Sequence, residues 1–373
     1  MRTATVVSRQ RGVIVALAAV LFALPGLATA RAPGPVVADF EGEALTSADI
    51  EFQRGVFRVD PVGNRVTILC IPVDGIWRQP GKLTSCGADP PESMRREAER
   101  YTPDKTVMTV RNLGITRAEW DASGTVAGDD IRAIHKAFSY AVEPQAVRWR
   151  FDTRPLPAML RTQIPGSGIH VHFGGDFSAA RKPLLFEPGQ GDLQVETRLS
   201  IPRSTRTGKA HSGVTLGIVV QAPTTADVWV GIPIIASVFN RELAKRENIR
   251  SDGRVNFVLT YFGAGTRYVT SVAGAQKTDS WNGFETFAFQ ISRENLRNIV
   301  VELNKKRGSA ALPKIDESAL DKTRVAGMSL RNESRFLDEG NIDIEVIVDY
   351  VRALRAAPDV RSDSSAPRRT SSK

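Results

Sequence analysis

The sequence lacks an apolar run long enough to cross a membrane as a helix. The longest uninterrupted run, Val13 to Leu24, falls short of the roughly 20 residues that a spanning helix needs, and Pro25-Gly26 ends it. Basic residues precede the run and Ala28-Thr29-Ala30 follows it, which is typical of a cleavable export signal. We therefore predict a signal peptide over residues 1–30 and a secreted or periplasmic mature protein. An uncleaved membrane anchor is the alternative.

Two other export features are absent. No cysteine follows the apolar run, so a bacterial lipid anchor is not predicted. Arg9-Gln10-Arg11 is not the twin arginine that marks export through the Tat pathway, which carries prefolded, cofactor-loaded proteins. We therefore expect no stable membrane span after cleavage and no required cofactor.

The chain also lacks a strong excess of one charge. It has 50 Lys and Arg against 41 Asp and Glu, and loss of the three arginines in residues 1–30 lowers the formal charge from +9 to +6, which is 47 minus 41. The basic residues are spread among acidic ones, without the basic and aromatic clusters of a nucleic-acid-binding surface. We therefore expect no nucleic-acid partner.

Cysteine is scarce, with Cys70 in an apolar run and Cys86 beyond the turn signal Pro80-Gly81. Two thiols in an exported chain most simply form one disulfide, and a loop of this size would stabilise the fold by about 3 kcal/mol. A nucleophilic cysteine is the alternative, but no histidine lies near either residue in the sequence.

Most of the chain has the pattern of β-strands. Apolar and polar residues alternate over 193–201, 287–291 and 342–350, as in strands with one buried face. Denser apolar runs over 213–220 and 228–239, and again over 255–262, predict strands buried on both faces.

Two helices interrupt this pattern. Ser292 can cap a helix that places Leu296 and Ile299 on one side and stops near Gly308. Asp129 or Asp130 can cap a second helix, which presents Ile131, Ile134 and Phe138 on one side and ends at Glu143-Pro144. We predict a mainly β antiparallel sandwich with two or so packed helices.

The domain division follows from composition. We predict one sandwich domain over residues 31–355 and a disordered tail over 356–373, which is rich in Ser, Pro and Arg. Residues 31–145 are more irregular than the rest and form either a separate subdomain or part of the same sandwich. In the second case, residues 36–42 form a first strand beside the last one.

Two short segments, about a dozen residues in all, resemble strands of concanavalin A-like lectins and glucanases. Ala38-Asp39-Phe40-Glu41-Gly42 resembles the opening strand of carbohydrate-binding jelly rolls. Ile347-Val348-Asp349-Tyr350-Val351-Arg352 is similar to the closing strand of laminarinase-type glucanases. The resemblance implies a jelly-roll or lectin-like sandwich, with a polysaccharide or cell-envelope component as partner.

Asn341-Ile342-Asp343-Ile344-Glu345 also resembles the catalytic strand of those glucanases. The resemblance makes Glu345 the acid/base and Asp343 the intervening carboxylate, whereas Asn341, at the nucleophile position, cannot form a glycosyl ester. Alternate strand residues lie about 6.6 Å apart on one face, near the roughly 5 to 5.5 Å carboxyl separation of retaining glycosidases. The alternative is the solvated face of an outer strand.

The segment from Tyr261 to Tyr268 resembles the catalytic strand of jelly-roll alginate lyases, although it lacks their lysine. A lyase needs one group that neutralises the uronate carboxylate and a Tyr or His that moves the proton. This resemblance makes Arg267 and Tyr268 candidates for these roles. A buried strand that ends in a glycine turn is the alternative.

The sharpest local pattern is His170-Val171-His172, which contains two of the four histidines. Residues two apart on a strand face the same way, so both imidazoles can reach one substrate or one zinc ion, with His211 or Asp176 as a third ligand. Ordinary hydrogen bonding is the alternative. The segment 121–130 resembles a dockerin-type calcium loop but lacks the central Asp-Gly, so a capped turn is the alternative to calcium binding.

Aromatic residues that can stack on sugar rings are Trp77, Trp229, Tyr261, Tyr268 and Trp281, with core packing as the alternative for each. From compartment and fold analogy we predict an exported, non-catalytic glycan-binding protein, with Tyr261, Arg267, Tyr268 and Trp281 as candidate ligand-binding residues. The alternatives are a secreted polysaccharide hydrolase or lyase, and a structural or partner-binding envelope protein without a small ligand.

Overall fold

The structure is a computed structural model. It describes residues 35–41, 50–53, 57–60, 65–68, 71–73, 76–78, 104–111, 136–157, 161, 169–178, 180–222, 227–236, 248–251, 256–260, 266–337 and 339–356. Several predictions lie outside these residues: the signal peptide 1–30, Cys70 and Cys86, Tyr261, and the tail beyond residue 356. They stay predictions.

One large sheet, sheet 1, is antiparallel throughout. Within the described residues it contains β1 (Val36–Glu41), β8 (Phe138–Glu143), β9 (Ala146–Asp152), β11 (Leu193–Arg206), β16 (Thr270–Ala273), β17 (Trp281–Ile291) and β19 (Ile342–Arg355). The strand order is β16-β17-β11-β19-β9-β8, and β1 pairs with the C-terminal half of β19. The prediction that the first strand lies beside the last one is therefore confirmed.

The other large sheet, sheet 2, is mainly antiparallel. In the described part of the chain it contains β2 (Ile50–Gln53), β7 (Val107–Arg111), β10 (Ile169–Asp176), β12 (His211–Gln221), β13 (Asp227–Ala236), β14 (Asn248–Ser251), β15 (Asn256–Leu259) and β18 (Arg324–Arg335). The order is β14-β15-β13-β12-β18-β10-β7-β2, with parallel pairing between β13 and β15 and between β2 and β7. Two further sheets have two antiparallel strands each. One pairs β3 (Phe57–Asp60) with β4 (Arg65–Ile68), and the other pairs β5 (Ile71–Val73) with β6 (Ile76–Arg78).

The two large sheets share one hydrophobic core. In β9, for example, Val147, Trp149 and Phe151 are buried, whereas Arg148 and Arg150 between them are only half-buried. Full burial of each large apolar side chain contributes about 1.5–3 kcal/mol. Successive strands from β9 to β12, and from β17 to β19, alternate between the sheets, which is the strand exchange of a jelly roll. The predicted β-sandwich of jelly-roll type is confirmed.

The helix predicted after Ser292 is also confirmed. Helix α1 (Arg293–Ser309) begins with a capping box, in which the Ser292 hydroxyl accepts from the Asn295 backbone and the Asn295 side chain accepts from the Ser292 backbone. Its buried side includes Leu296, Ile299 and Leu303. A short 3-10 helix (Glu317–Lys322) follows. No helix within the described residues is long and apolar enough to cross a membrane.

Of the second predicted helix, residues 136 and 137 are helical, but the prediction that it continues to Glu143-Pro144 is wrong. Residues 138–143 form β8, which pairs with β9 through the turn at Pro144-Gln145. Phe138 and Tyr140 pack on the core at a period of two, the spacing of a strand. The segment 121–135, with the predicted cap and the possible calcium loop, lies outside the described residues.

Candidate functional site

The outer face of sheet 1 carries the polar side chains that the strand pattern predicts. Its central strand, β19, contains a β-bulge, because Arg198 and Leu199 of β11 pair with Tyr350 and Val348 and leave one extra residue, Asp349, between them. Both Asp349 and Tyr350 contact polar partners on this face. Bulges re-aim side chains in this way and are frequent beside active sites.

Asp343 lies on this face among three arginines. Arg150 donates to both oxygens of Asp343, from Nε to Oδ1 and from Nη2 to Oδ2, each at 2.9 Å. Nη2 of Arg154 and Nη1 of Arg203 donate to Oδ2 of Asp343 at 3.1 and 3.2 Å. The Asp343 side chain is only 6% exposed, and its oxygens are engaged by guanidinium groups.

Glu345 projects from the same strand, two residues further on, and is also paired with arginine. Nη1 of Arg148 donates to Oε1 of Glu345 at 2.9 Å, and Nε of Arg148 lies 2.7 Å from Oε1 of Glu143. The structure thus places Asp343 and Glu345 together on one face, but within a ladder of ion pairs. The alternative of a solvated outer strand does not describe Asp343, which is nearly buried on a central strand.

Glu196 of β11 is the most enclosed carboxylate of the other half of this face. Its Oε1 accepts from Nε of Arg352 at 2.6 Å and from the hydroxyl of Tyr350 at 3.1 Å. Its Oε2 accepts from Nε2 of Gln194 at 2.9 Å. Burial, together with the charge of Glu196, raises the pKa of Tyr350, so the phenol remains a donor to this carboxylate.

Asp39 of β1 lies on the opposite side of Arg352 from Glu196. The register pairs Asp39 with Arg352, and Arg352 in turn with Glu196. Burial, followed by the charge of Glu41, raises the pKa of Asp39 to about 6, against the opposing effect of Arg352. Asp39 is nevertheless exposed to solvent on β1, so the direction of the shift is what matters: its carboxyl keeps a proton to a higher pH than an ordinary Asp.

Phe284 of β17 supplies an exposed aromatic ring next to these groups. Its exposed fraction is 40%, and the guanidinium of Arg198 lies 4.9 Å from the ring centroid. Nη1 of Arg198 also donates to Oδ2 of Asp349 at 2.6 Å. We call the following residues the Glu196 cluster: Asp39, Glu196, Arg198, Phe284, Asp349, Tyr350 and Arg352.

The predicted ligand-binding residues on and beside sheet 1 have other contacts. Trp281 packs partly against the core, 5.6 Å from Phe287, with Nζ of Lys277 5.6 Å from its ring. Tyr268 is 3% exposed, and its hydroxyl accepts from Nη2 of Arg267 at 2.9 Å. Neither residue belongs to the Glu196 cluster.

The two histidines of β10 lie on the outer face of sheet 2. The rings of His170 and His172 are 6.3 Å apart, and Nδ1 of His170 is 3.7 Å from Oε1 of Glu333 on β18. Burial opposes ionisation of Glu333, but His170 and the neighbouring Arg335 and Arg331 outweigh it and lower the pKa of this carboxyl. The predicted common orientation of the histidine pair is confirmed.

The proposed third metal ligands are not brought to this pair. Asp176 lies four residues beyond His172 on β10, about 14 Å at strand spacing. His211 is on β12, two strands from β10, and burial followed by the charge of Arg335 lowers its pKa to about 4. In the described segments, no group of three or more His, Cys, Asp or Glu is arranged to hold a metal ion.

Sequence reasoning missed the members of the Glu196 cluster as site residues. Glu196 and Arg198 are visible as the polar positions of an alternating strand, and Asp39 lies in the segment that resembles an opening strand. What brings them together is the register of β1, β19 and β11. A single sequence does not encode that register visibly.

No family model matches this chain, and no curated protein matches it. Among solved structures, the family 11 xylanase from Neocallimastix patriciarum aligns with a TM-score of 0.23 and 9% identity, over 59% of this chain and 95% of the xylanase. A family 12 xyloglucanase from Bacillus licheniformis aligns with a TM-score of 0.25 and 10% identity, over 58% of this chain and 84% of that one. Both TM-scores are low, so the jelly-roll assignment rests on the strand order described above.

Proposed function

We propose that this chain is an exported protein that binds polysaccharide at the Glu196 cluster. The observation that carries the proposal is the exposed ring of Phe284 beside a row of planar hydrogen-bonding groups on neighbouring strands, which runs from the exposed Arg198 to the buried Glu196. An aromatic ring offers an apolar surface to the C–H face of a sugar. Carboxylate and guanidinium groups around it can exchange hydrogen bonds with sugar hydroxyls.

The charge of this face supports a neutral, hydroxyl-rich ligand. Arg198 pairs with Asp349, and Arg352 pairs with Glu196, so each exposed cation of the cluster has a carboxylate partner. Such pairs present donors and acceptors without a strong net field. Binding of this kind needs no cofactor.

The binding experiment compares two arginines of the same strand. Arg198 lies in the cluster and is 46% exposed, whereas Arg203 lies in the Asp343 ladder and is 49% exposed. Affinity electrophoresis of the purified protein should show retardation by at least one neutral polysaccharide among xylan, xyloglucan and laminarin, with the polyanion alginate as the comparison. Arg198→Ala should weaken it several-fold and Arg203→Ala should not. No retardation in any gel, or equal loss in both variants, contradicts the proposal.

Export is the second part of the proposal, and the pattern of residues 1–30 supports it. N-terminal sequencing of the protein recovered outside the cytoplasm should begin at Arg31. A membrane-bound protein that retains Met1 would instead support the uncleaved anchor.

A further inference from the structure

We propose that two copies of this chain pair along the free edge of β8, so that sheet 1 continues from one copy into the other. β8 is the last strand of sheet 1, and no strand of the described residues pairs with its far edge. The backbone N–H and C=O groups along such an edge form hydrogen bonds with an added strand.

β8 differs from the other strands that end the two large sheets. β16, at the opposite end of sheet 1, has four residues and an irregular register with β17. β14 and β2, which end sheet 2, also have four residues each, and each contains a charged residue, Arg250 and Glu51. β8 has six residues, pairs with β9 in regular register, and carries no charge before its last residue, Glu143. Proteins protect a sheet edge by short length, irregular pairing and charge, and the first five residues of β8 have none of these.

The side chains of β8 leave room for a partner on both faces of the sheet. Ser139 and Ala141 are exposed on the outer face. Val142 is 40% exposed, although it continues the core-facing series of Phe138 and Tyr140. An added strand would cover this valine, because cross-strand neighbours cover the side chains that share their face.

One register of the two copies suits both faces. Directly opposite residues of an antiparallel pair share a face, so a two-fold axis at Ala141 places this residue against its own copy. Val142 then lies opposite Tyr140 of the second copy, and Glu143 lies opposite Ser139 of the second copy. The exposed valine gains an aromatic neighbour, no two carboxylates face each other, and the smallest side chain of β8 lies on the axis.

The size of the contact predicts a weak dimer. The paired segment runs only from Ser139 to Glu143, whereas a standard stable interface uses about 20–30 residues on each side. We therefore expect a dissociation constant in the micromolar range, so that the dimer forms as the protein concentration rises.

This pairing gives the dimer two binding surfaces that face the same way. An antiparallel pair of identical strands has its two-fold axis perpendicular to the sheet, so both outer faces, with both Glu196 clusters, lie on one side. β11 lies three strands from β8 in each copy. With one more spacing between the copies, seven spacings of about 4.8 Å separate the two β11 strands, which is about 34 Å. One long polysaccharide can reach both clusters and bind more tightly without a new contact. This consequence rests on the proposed function, whereas the dimer does not.

Sedimentation velocity of the purified full protein over roughly 1–200 µM measures the dimer without ligand. The mean mass should rise from one chain towards two. Ala141→Lys should stay monomeric over this range, because it places two ammonium groups against each other on the axis. Val272→Lys is the matched control, since it adds the same charge at an exposed position of β16, the other end of sheet 1, and it should dimerise like the unchanged protein. Thermal unfolding checks the fold of both variants.

Cysteine cross-linking measures the register. Ala141→Cys should give a disulfide-linked dimer under mild oxidation, because opposite residues of the pair have Cα atoms about 4.5–5.5 Å apart, within the range of a disulfide. Ser139→Cys is exposed on the same face of β8 but should not cross-link, since its two copies are offset by about 13 Å along the strands. The unchanged protein, which contains Cys70 and Cys86, gives the background.

The outcomes separate the dimer from its use in binding. A protein that stays monomeric at the highest concentration, or a dimer that persists in Ala141→Lys, refutes the pairing along β8. Equal cross-linking of Ser139→Cys and Ala141→Cys refutes the register. Ala141→Lys should need at least about tenfold more of a long polysaccharide for the same retardation, with an unchanged dissociation constant for a short oligosaccharide of the same sugar. Equal retardation refutes bivalent binding. Absence of any polysaccharide binding refutes the proposed function and leaves the dimer intact.

Discussion

Replacing Phe284 with alanine should weaken polysaccharide binding by about fivefold. A phenylalanine side chain presents about 150–250 Å² of surface, so an exposed fraction of 40% leaves about 60–100 Å² for a ligand. At about 25 cal/mol per Å², complete coverage is worth about 1.5–2.5 kcal/mol. A sugar ring covers one side of the aromatic ring, so about 1 kcal/mol is expected, which is about a fivefold change in the dissociation constant.

Isothermal titration calorimetry of the unchanged protein and Phe284→Ala measures this change directly. Val272→Ala is the control, because Val272 is 45% exposed on β16 of the same sheet but lies outside the Glu196 cluster. Thermal unfolding of both variants checks that the fold persists. If Phe284→Ala binds as tightly as the unchanged protein, the ring is not a sugar platform, and the assignment of the ligand to this surface is refuted.

Three further predictions concern stability, each measured as the free energy of unfolding in urea. Folding raises the pKa of Asp39 to about 6, so the stability that its proton contributes is lost as the pH rises through about 6. The neutral side chain of Asp39→Asn avoids this loss. The variant should therefore be more stable than the unchanged protein at pH 8 by about 1 kcal/mol, after allowance for solvent screening, with little difference at pH 4. A gain that is the same at both pH values would contradict this. Asp343→Asn should lower the free energy of unfolding by about 2 kcal/mol, because three arginines lose a shared, nearly buried carboxylate. Glu345→Gln should lower it by less than about 1 kcal/mol. Equal decreases in the two variants would contradict the difference in burial. Ser292→Ala should cost about 1 kcal/mol through loss of the helix cap, and a neutral result would show that tertiary packing alone holds the first turn of α1.

The sequence patterns that predicted the fold correctly are those with strong local causes. The alternation of apolar and polar residues over 342–350 indicates a strand with one buried face. The cap at Ser292 accepts a hydrogen bond from the backbone N–H groups that the first turn of every helix leaves unpaired. The segment from Phe138 to Glu143 misled the helix prediction, because its apolar residues also continue the helical spacing of Ile131 and Ile134. Hydrogen bonding to β9 stabilises this segment as a strand.

The candidate site was harder to predict because it depends on long-range register. Asp39 and Glu196 are 157 positions apart (196 minus 39), and they share a surface only because β19 lies between their strands. The bulge at Asp349 adds a second obstacle, since strict alternation places Asp349 and Tyr350 on opposite faces. By contrast, His170 and His172 are neighbours on one strand, so their common orientation was predictable.

The position of the last two strands has a consequence for how the chain folds. In the described sheets, β19 separates β11 from β9 in sheet 1, and β18 separates β12 from β10 in sheet 2. The two halves of each sheet cannot join until residues 324–355 have been synthesised, so the contacts that β18 and β19 make with their neighbouring strands form late. Such long-range pairing makes folding slow and leaves apolar strands exposed meanwhile. A chain that is truncated before β18 should therefore aggregate and should not fold as a smaller sandwich.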